Sequence, residues 1–230
     1  MYELKRLLNK YFGFGGTIVP LGKSGEILCK IKNSLIECEC ERDCPDGYWK
    51  ISENEILIME HFCFDSTSVK KGSESLAEIA RIERENNRHD VIKCSINITN
   101  YWENLKENFT RHCLKVENYK NNLISQGIAT SDTLFKIAFF IEDVTPLGNI
   151  DINSRTRVHS IFCDKFIDLF ENCSNVDYIF EFSEVGSNKN VLFVTKNDVY
   201  ALRGNELKIE DVKLVPWEPQ VFSFSTIVSN

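Results

Sequence analysis

The chain has 230 residues, of which 43% are hydrophobic and 27% are charged, and its formal net charge is -7. This size and composition predict a globular protein with a hydrophobic core of ordinary extent. The negative charge disfavours a protein that holds nucleic acid on a broad basic surface, but it permits a nuclease, because a carboxylate site gains local positive charge from its metal.

The cellular location is indicated by the cysteines and by the absence of long apolar runs. The nine cysteines are odd in number and lie mostly within apolar patterns, which is typical of reduced thiols in a cytosolic protein. No apolar run approaches the ~20 residues that cross a bilayer, and the N-terminal segment lacks the apolar stretch of a secretory signal. We therefore predict a cytoplasmic protein without a membrane partner. Its Asn-, Ile- and Lys-rich composition suggests a bacterial source.

The first half of the chain is predicted to contain two helices and several short strands. An amphipathic helix over residues 2–12 ends at the glycine-rich segment 13–16. Apolar and alternating patterns then predict strands over 26–31, 34–41 and 55–65, a helix over 74–87 and a strand over 90–99.

The second half alternates between helices and strands. A helix is predicted over 100–125 from apolar residues at spacings of three and four: Trp102, Leu105, Phe109, Cys113, Val116, Tyr119 and Leu123. The apolar run 135–144 is typical of a central strand buried on both faces. A helix over 157–171 and strands over 176–185 and 190–202 follow. This alternation predicts a single α/β domain over residues 1–230, with a mixed central sheet flanked by helices.

Two carboxylates mark the candidate functional site. Asp46 lies in a Pro-Gly turn before one predicted strand and Glu60 lies in the next strand, so a hairpin with the polar turn 52–54 brings them together. Mg²⁺ prefers such oxygen ligands, and a bound metal ion neutralises phosphate oxygens and activates water. Alternation along the strand places His61 on the opposite face from Glu60.

This arrangement resembles the PD-(D/E)XK nuclease superfamily, which has the restriction-endonuclease-like fold. The resemblance rests on Pro45-Asp46 and on Glu60-His61-Phe62 after a hairpin-sized gap, and its core covers about residues 1–90. It implies metal-dependent hydrolysis of phosphodiester bonds in DNA, with Asp46 and Glu60 holding Mg²⁺ or Mn²⁺.

The motif departs from the family at one position, because Phe62 occupies the place of the lysine. We expect Lys70 or Lys71 to supply the missing amine to the catalytic site. In the alternative interpretation the site is degenerate, and the fold acts as a module that binds a partner protein.

Two further groups of residues are candidates for a site. Glu142 and Asp143 end the predicted central strand, where acids often line the ligand crevice of an α/β sheet; solvation of a strand end before a loop is the alternative interpretation. Cys38, Cys40 and Cys44 with His61 or Cys63 have ligand types that suit zinc. Their spacing is unusual for a structural zinc site, and a packed strand face is the simpler interpretation.

Overall fold

The computed structural model describes residues 3–12, 17–20, 25–38, 44–64, 91–92, 98–143, 150–152, 156–158, 160–185, 188–206, 208 and 222–223. The elements in chain order are α1 (Glu3–Phe12), β1 (Thr17–Pro20), α2 (Gly25–Ser34), β2 (Ile36–Glu37), β3 (Gly47–Ser52), β4 (Glu55–Phe64), β5 (Val91–Ile92), α3 (Ile98–Ser125), β6 (Leu134–Asp143), β7 (Ile150–Ile152), β8 (Thr156–Val158), α4 (Asp164–Asn172), β9 (Tyr178–Val185), β10 (Asn188–Thr195), α5 (Lys196–Ala201) and β11 (Phe222–Ser223). None of the described helices is long and apolar enough to cross a membrane.

Seven strands form one mixed sheet in the order β1-β10-β9-β6-β4-β3-β2. The inner strands β4, β6 and β9 are parallel, whereas β3 and β10 pair antiparallel to them on either side. β6 lies in the middle and is buried from Ile137 to Asp143, which confirms the predicted central strand. The predicted α/β class with a mixed sheet flanked by helices is also confirmed.

A hydrophobic core lies on each face of the sheet. On one face, the α3 face, the predicted apolar stripe of α3 is buried, and the ring of Phe109 lies 5.1 Å from that of Phe139 and 5.9 Å from that of Phe166. On the other face, the α1 face, Tyr11 packs edge-on against Phe182 with ring centroids 4.9 Å apart. Each buried phenylalanine contributes roughly 1.5 to 3 kcal/mol of transfer free energy, so the two cores fix the sheet between its helices.

The strand predicted over 26–31 is wrong, because this segment belongs to helix α2. Leu28, Ile31 and Leu35 are buried together, while Cys29 and Lys30 are exposed. The buried positions are three and four residues apart, which is the period of a helix and not of a strand. In the sequence alone, an apolar run this short does not distinguish a buried strand from a segment of a helix.

Two predicted boundaries in the second half are also wrong. The helix predicted over 157–171 begins only at Asp164, after strand β8 and a 3-10 turn. The strand predicted over 190–202 ends at Thr195, where a capping box starts α5: Thr195 Oγ1 accepts from the Asp198 amide at 3.2 Å, and Asp198 Oδ2 accepts from the Thr195 amide at 2.9 Å. These reciprocal hydrogen bonds satisfy two backbone amides at the start of the helix, which favours α5 over a longer strand.

Several predicted segments are described only in part. Strand residues in the predicted ranges 34–41 and 90–99 are Ile36–Glu37 and Val91–Ile92, and Ile98 already belongs to α3. The helix predicted over 74–87 and the glycine-rich segment 13–16 lie outside the described residues. The single-domain organisation stays a prediction.

Gly47 opens β3 directly after Asp46 and allows Leu35 and strand β2 to approach closely. A Cβ at this position would lie 2.6 Å from Leu35 Cδ1 and 3.0 Å from the carbonyl oxygen of Ile36. We expect Gly47→Ala to lower the free energy of unfolding by about 1 to 3 kcal/mol in urea denaturation, because the added methyl group overpacks the site. Lys50→Ala, at an exposed position of the same strand, is the control, and equal stability of the two variants would contradict the close approach.

Candidate functional site

The predicted hairpin is confirmed, and it brings the backbones of Asp46 and Glu60 side by side. Gly47 pairs with Met59 in the antiparallel register of β3 and β4, so Asp46 lies next to Glu60 at the following position. The amide of His61 donates to Asp46 Oδ2 at 2.6 Å, which fixes the Asp46 carboxylate against the backbone of β4. The aspartate therefore extends the pairing of the hairpin by one side-chain hydrogen bond.

The carboxylate of Glu60 points away from this edge and into the α3 face. Its Oε1 atom accepts from Tyr119 Oη at 2.5 Å and lies 2.6 Å from His112 Nδ1. Only 5% of Glu60 is exposed. One carboxylate oxygen contacts two side chains of α3, so Glu60 connects the hairpin to this helix.

Phe62 fills the position at which the family has its lysine. Its ring stacks on the imidazole of His112, with centroids 4.8 Å apart and an interplanar angle of 11°. It also packs edge-on against Phe109 and Phe139. Position 62 is thus part of the hydrophobic core, where an ammonium group would lose its hydration. Lys70 and Lys71, which we expect to replace it, lie outside the described residues.

His61 lies on the α1 face, as strand alternation predicts. Its Nε2 atom is 3.4 Å from Glu142 Oε2, and Lys10 Nζ of α1 donates to Glu142 Oε1 at 2.7 Å. Asp46 thus bonds the backbone amide of His61, the His61 imidazole meets Glu142, and Glu142 pairs with Lys10, all toward the carboxyl ends of β4 and β6. We call these four residues the edge network.

The charges of the site shift the pKa values of two groups. Burial alone would raise the pKa of Glu142, but its contacts with His61 and Lys10 lower it to about 2, so the carboxylate is ionised at neutral pH. Burial, followed by the negative charges of Asp46 and Glu60, raises the pKa of the Cys38 thiol to about 11. This thiol is therefore protonated at neutral pH, and the charges of both hairpin carboxylates favour its protonated form.

The two acids that end β6 diverge to opposite faces of the sheet. Glu142 joins the edge network, whereas Asp143 Oδ2 accepts from Tyr101 Oη at 2.9 Å on the α3 face. On the neighbouring strand β9, Glu181 Oε1 accepts from Ser160 Oγ at 3.1 Å. The prediction that Glu142 and Asp143 stand at the carboxyl end of a buried strand is confirmed, and each acid belongs to a different set of polar side chains.

Comparisons of the chain with known proteins found no match. No protein-family model matches the chain, and no match is found among curated proteins or among solved structures. The function therefore has to be argued from the edge network, the hairpin and their chemistry.

A metal ion at this edge would have few protein ligands among the described residues. No group of three or more His, Cys, Asp or Glu side chains in the described ranges is close enough to hold one metal ion. The Mg²⁺ or Mn²⁺ ion that the resemblance implies therefore stays a prediction, for which Mg²⁺ would need only one or two protein carboxylates.

The zinc alternative does not fit the cysteine chemistry. Cys44 takes part in a disulfide bond, so the predicted reduced state is wrong for this cysteine, whereas five described cysteines are free thiols: Cys29, Cys38, Cys113, Cys163 and Cys173. Zinc binds thiolates, and a disulfide sulfur is not one, so Cys44 in its disulfide does not offer the ligand that this alternative assigns to it. Cys40 lies outside the described residues.

The sequence did not reveal three residues that shape these sites. Lys10 stands in the last turn of α1 beside the apolar stripe, and His112 lies next to a stripe position of α3. Glu181 alternates with apolar residues in β9, a pattern that usually marks a solvent-facing strand surface. In each case the sequence shows a polar residue beside a strongly apolar pattern. This signal does not indicate which distant side chain the residue contacts.

Proposed function

We propose that this protein is a metal-dependent, nuclease-like hydrolase of DNA phosphodiester bonds with a restriction-endonuclease-like core. The observation that carries the proposal is the edge network, in which contacts link Asp46 to His61, His61 to Glu142 and Glu142 to Lys10. It combines two carboxylates with an ammonium group, which are the residue types that the resemblance implies. In this proposal Lys10 supplies the amine that is missing at position 62.

The order of the elements supports the fold part of the proposal. Helices α1 and α2 precede the antiparallel strands β2, β3 and β4 in the chain, and helix α3 stands between β4 and the parallel strand β6 in chain order. A helix before the hairpin and a helix after it are what the resemblance implies. The described helix after the hairpin is α3, since the segment 74–87 lies outside the described residues.

The proposed chemistry assigns one role to each group. A bound Mg²⁺ or Mn²⁺ would neutralise phosphate oxygens and make a bound water a better nucleophile. Asp46 and Glu142 would offer carboxylate oxygens to it, and the Lys10 ammonium would donate to a water or a phosphate oxygen beside it. The Lys10 side chain is 38% exposed, so a substrate can reach it.

Glu60 as a metal ligand, and Lys70 or Lys71 as the amine, remain predictions that compete with this assignment. In our proposal Glu60 has a structural role. Its contacts with His112 and Tyr119 hold the hairpin, and with it β4, against α3. Variants at Lys10 and Glu142 separate the two assignments.

Cleavage of supercoiled plasmid and of linear single-stranded DNA, in Mg²⁺ and in Mn²⁺, tests the proposal. We expect Lys10→Met, Glu142→Gln and Asp46→Asn each to slow cleavage by roughly 100-fold or more, as removal of a positioned donor or proton-transfer group does. Lys5→Met is the matched control, because Lys5 lies on the same helix and pairs with Glu37 at 3.5 Å, away from the edge network. It should leave the rate unchanged.

Two outcomes would redirect the assignment. Cleavage that survives in Lys10→Met and Glu142→Gln but is lost in Glu60→Gln would move the site to the α3 face of the hairpin. Cleavage that is equally fast in all the variants would come from a contaminating nuclease and would remove support for the proposal. Circular dichroism at the assay temperature establishes that each variant is folded.

A second candidate function is a catalytically degenerate module of the same fold that binds a partner protein. It is favoured by the enclosure of Glu60 between His112 and Tyr119 and by the aromatic residue at position 62. For this candidate we expect no cleavage by the wild-type protein in either metal, and no effect of Asp46→Asn on Mn²⁺ binding.

A further inference from the structure

A second set of buried polar side chains lies on the α3 face, at the carboxyl ends of β6 and β9. Asp143 is 1% exposed and Glu181 is 2% exposed. Ser183 pairs with Asp143 in the parallel register and follows Glu181 by two residues, so the three side chains project from the same face of adjacent strands. We call Asp143, Glu181 and Ser183 the β6–β9 cluster.

Hydroxyl groups from two other elements hold the carboxylates of this cluster. Tyr101, in the first turns of α3, donates to Asp143 Oδ2 at 2.9 Å, and Ser160 donates to Glu181 Oε1 at 3.1 Å. Burial, then the negative charges of Asp143 and Glu181, raise the pKa of Tyr101 well above its ordinary value. Both carboxylates act on the same phenol, and the register of β6 and β9 places them on adjacent strands.

Ser183 provides an independent indication of a ligand. Its side chain is fully buried, and within the described part of the chain its Oγ atom has no hydrogen-bond partner. A buried hydroxyl without a partner costs about 1 to 3 kcal/mol, so such groups usually meet a water, an ion or a ligand. Ser183 pairs with Asp143 in the sheet, so its hydroxyl oxygen is available as a ligand within the cluster.

We propose that Asp143, Glu181 and Ser183 bind a divalent cation of the oxygen-preferring class, Mg²⁺ or Mn²⁺. Hard divalent cations take carboxylate and neutral oxygen ligands, and a site of two carboxylates and one hydroxyl matches that preference. Tyr101 and Ser160 act as positioning residues that hold the two carboxylates toward the cation. The bound cation ties β6 to β9 and to the start of α3, independently of any cleavage chemistry on the opposite face.

Mn²⁺ titration followed by electron paramagnetic resonance tests this site in the full chain carrying Asp46→Asn and Glu142→Gln, which removes the carboxylates of the edge network. We expect saturable binding of one Mn²⁺ per chain in this background and its loss on Glu181→Gln. Ser183→Ala and Tyr101→Phe should each weaken the binding roughly 10- to 100-fold, as loss of a ligand or of an orienting partner does.

Asp168→Asn is the matched control, because Asp168 is an exposed acid that pairs with Arg203 at 2.8 Å. It should leave Mn²⁺ binding unchanged. Absence of Mn²⁺ binding by this variant when circular dichroism shows that it is folded, or binding that persists undiminished in Ser183→Ala, would overturn the proposal. Ser183→Ala decides the question if Glu181→Gln does not fold, since it removes a single oxygen. The result is separate from the cleavage assay, in which the β6–β9 cluster is intact.

Discussion

Replacing Glu60 with alanine is expected to lower the free energy of unfolding by about 3 to 5 kcal/mol. The carboxylate is buried and meets His112 Nδ1 at 2.6 Å and Tyr119 Oη at 2.5 Å. Removing it leaves both groups inside the core without their acceptor and opens a cavity beside Phe62. Urea denaturation followed by circular dichroism measures this loss.

Glu60→Gln is the matched variant for this experiment. Its amide oxygen still accepts from Tyr119, and its volume is nearly unchanged, so we expect a smaller loss of stability than in Glu60→Ala. A loss below about 1 kcal/mol in Glu60→Ala, the value of an ordinary substitution, would mean that the contacts with His112 and Tyr119 contribute little. The alanine variant is unsuitable for assigning a catalytic role, because its activity would fall through unfolding.

Stability is expected to decrease as the pH falls from 4.5 to 2, and Glu142 is a specific cause. Burial opposes ionisation of this carboxyl group, yet contacts with His61 and Lys10 lower its pKa from the ordinary 4.5 to about 2. A group with a lowered folded-state pKa stabilises the fold above its unfolded pKa, and this contribution disappears as the pH falls through the folded value. The shift corresponds to roughly 3 kcal/mol at neutral pH.

Comparison of the wild type with Glu142→Gln isolates this contribution. We expect the stability difference between the two proteins to be largest above pH 4.5 and to shrink toward pH 2, because glutamine does not titrate. Urea denaturation at several pH values in this range measures the difference. A difference that stays constant with pH would show that the contacts with His61 and Lys10 do not stabilise the ionised carboxylate.

The sequence was most informative where one element carried a long, regular pattern. The seven-residue stripe of α3, the apolar run of β6 and the hairpin around residues 52–54 were predicted and are present in the structure. It failed at α2 because a ten-residue segment holds too few apolar positions to distinguish the two periods. It failed after Thr195 because a capping box outweighed the apolar character of the residues that follow.

The sequence by itself determined the helix before the hairpin, the hairpin that pairs Asp46 with Glu60, and the face on which His61 lies. These follow from periodicity along one element, which is a local property of the chain. Only the tertiary structure decided which charged groups meet: Glu60 contacts His112, 52 residues away, and Glu142 contacts Lys10, 132 residues away. Hydrogen bonds and ion pairs depend on distance in space, and the packing of α1 and α3 on opposite faces of the sheet sets that distance.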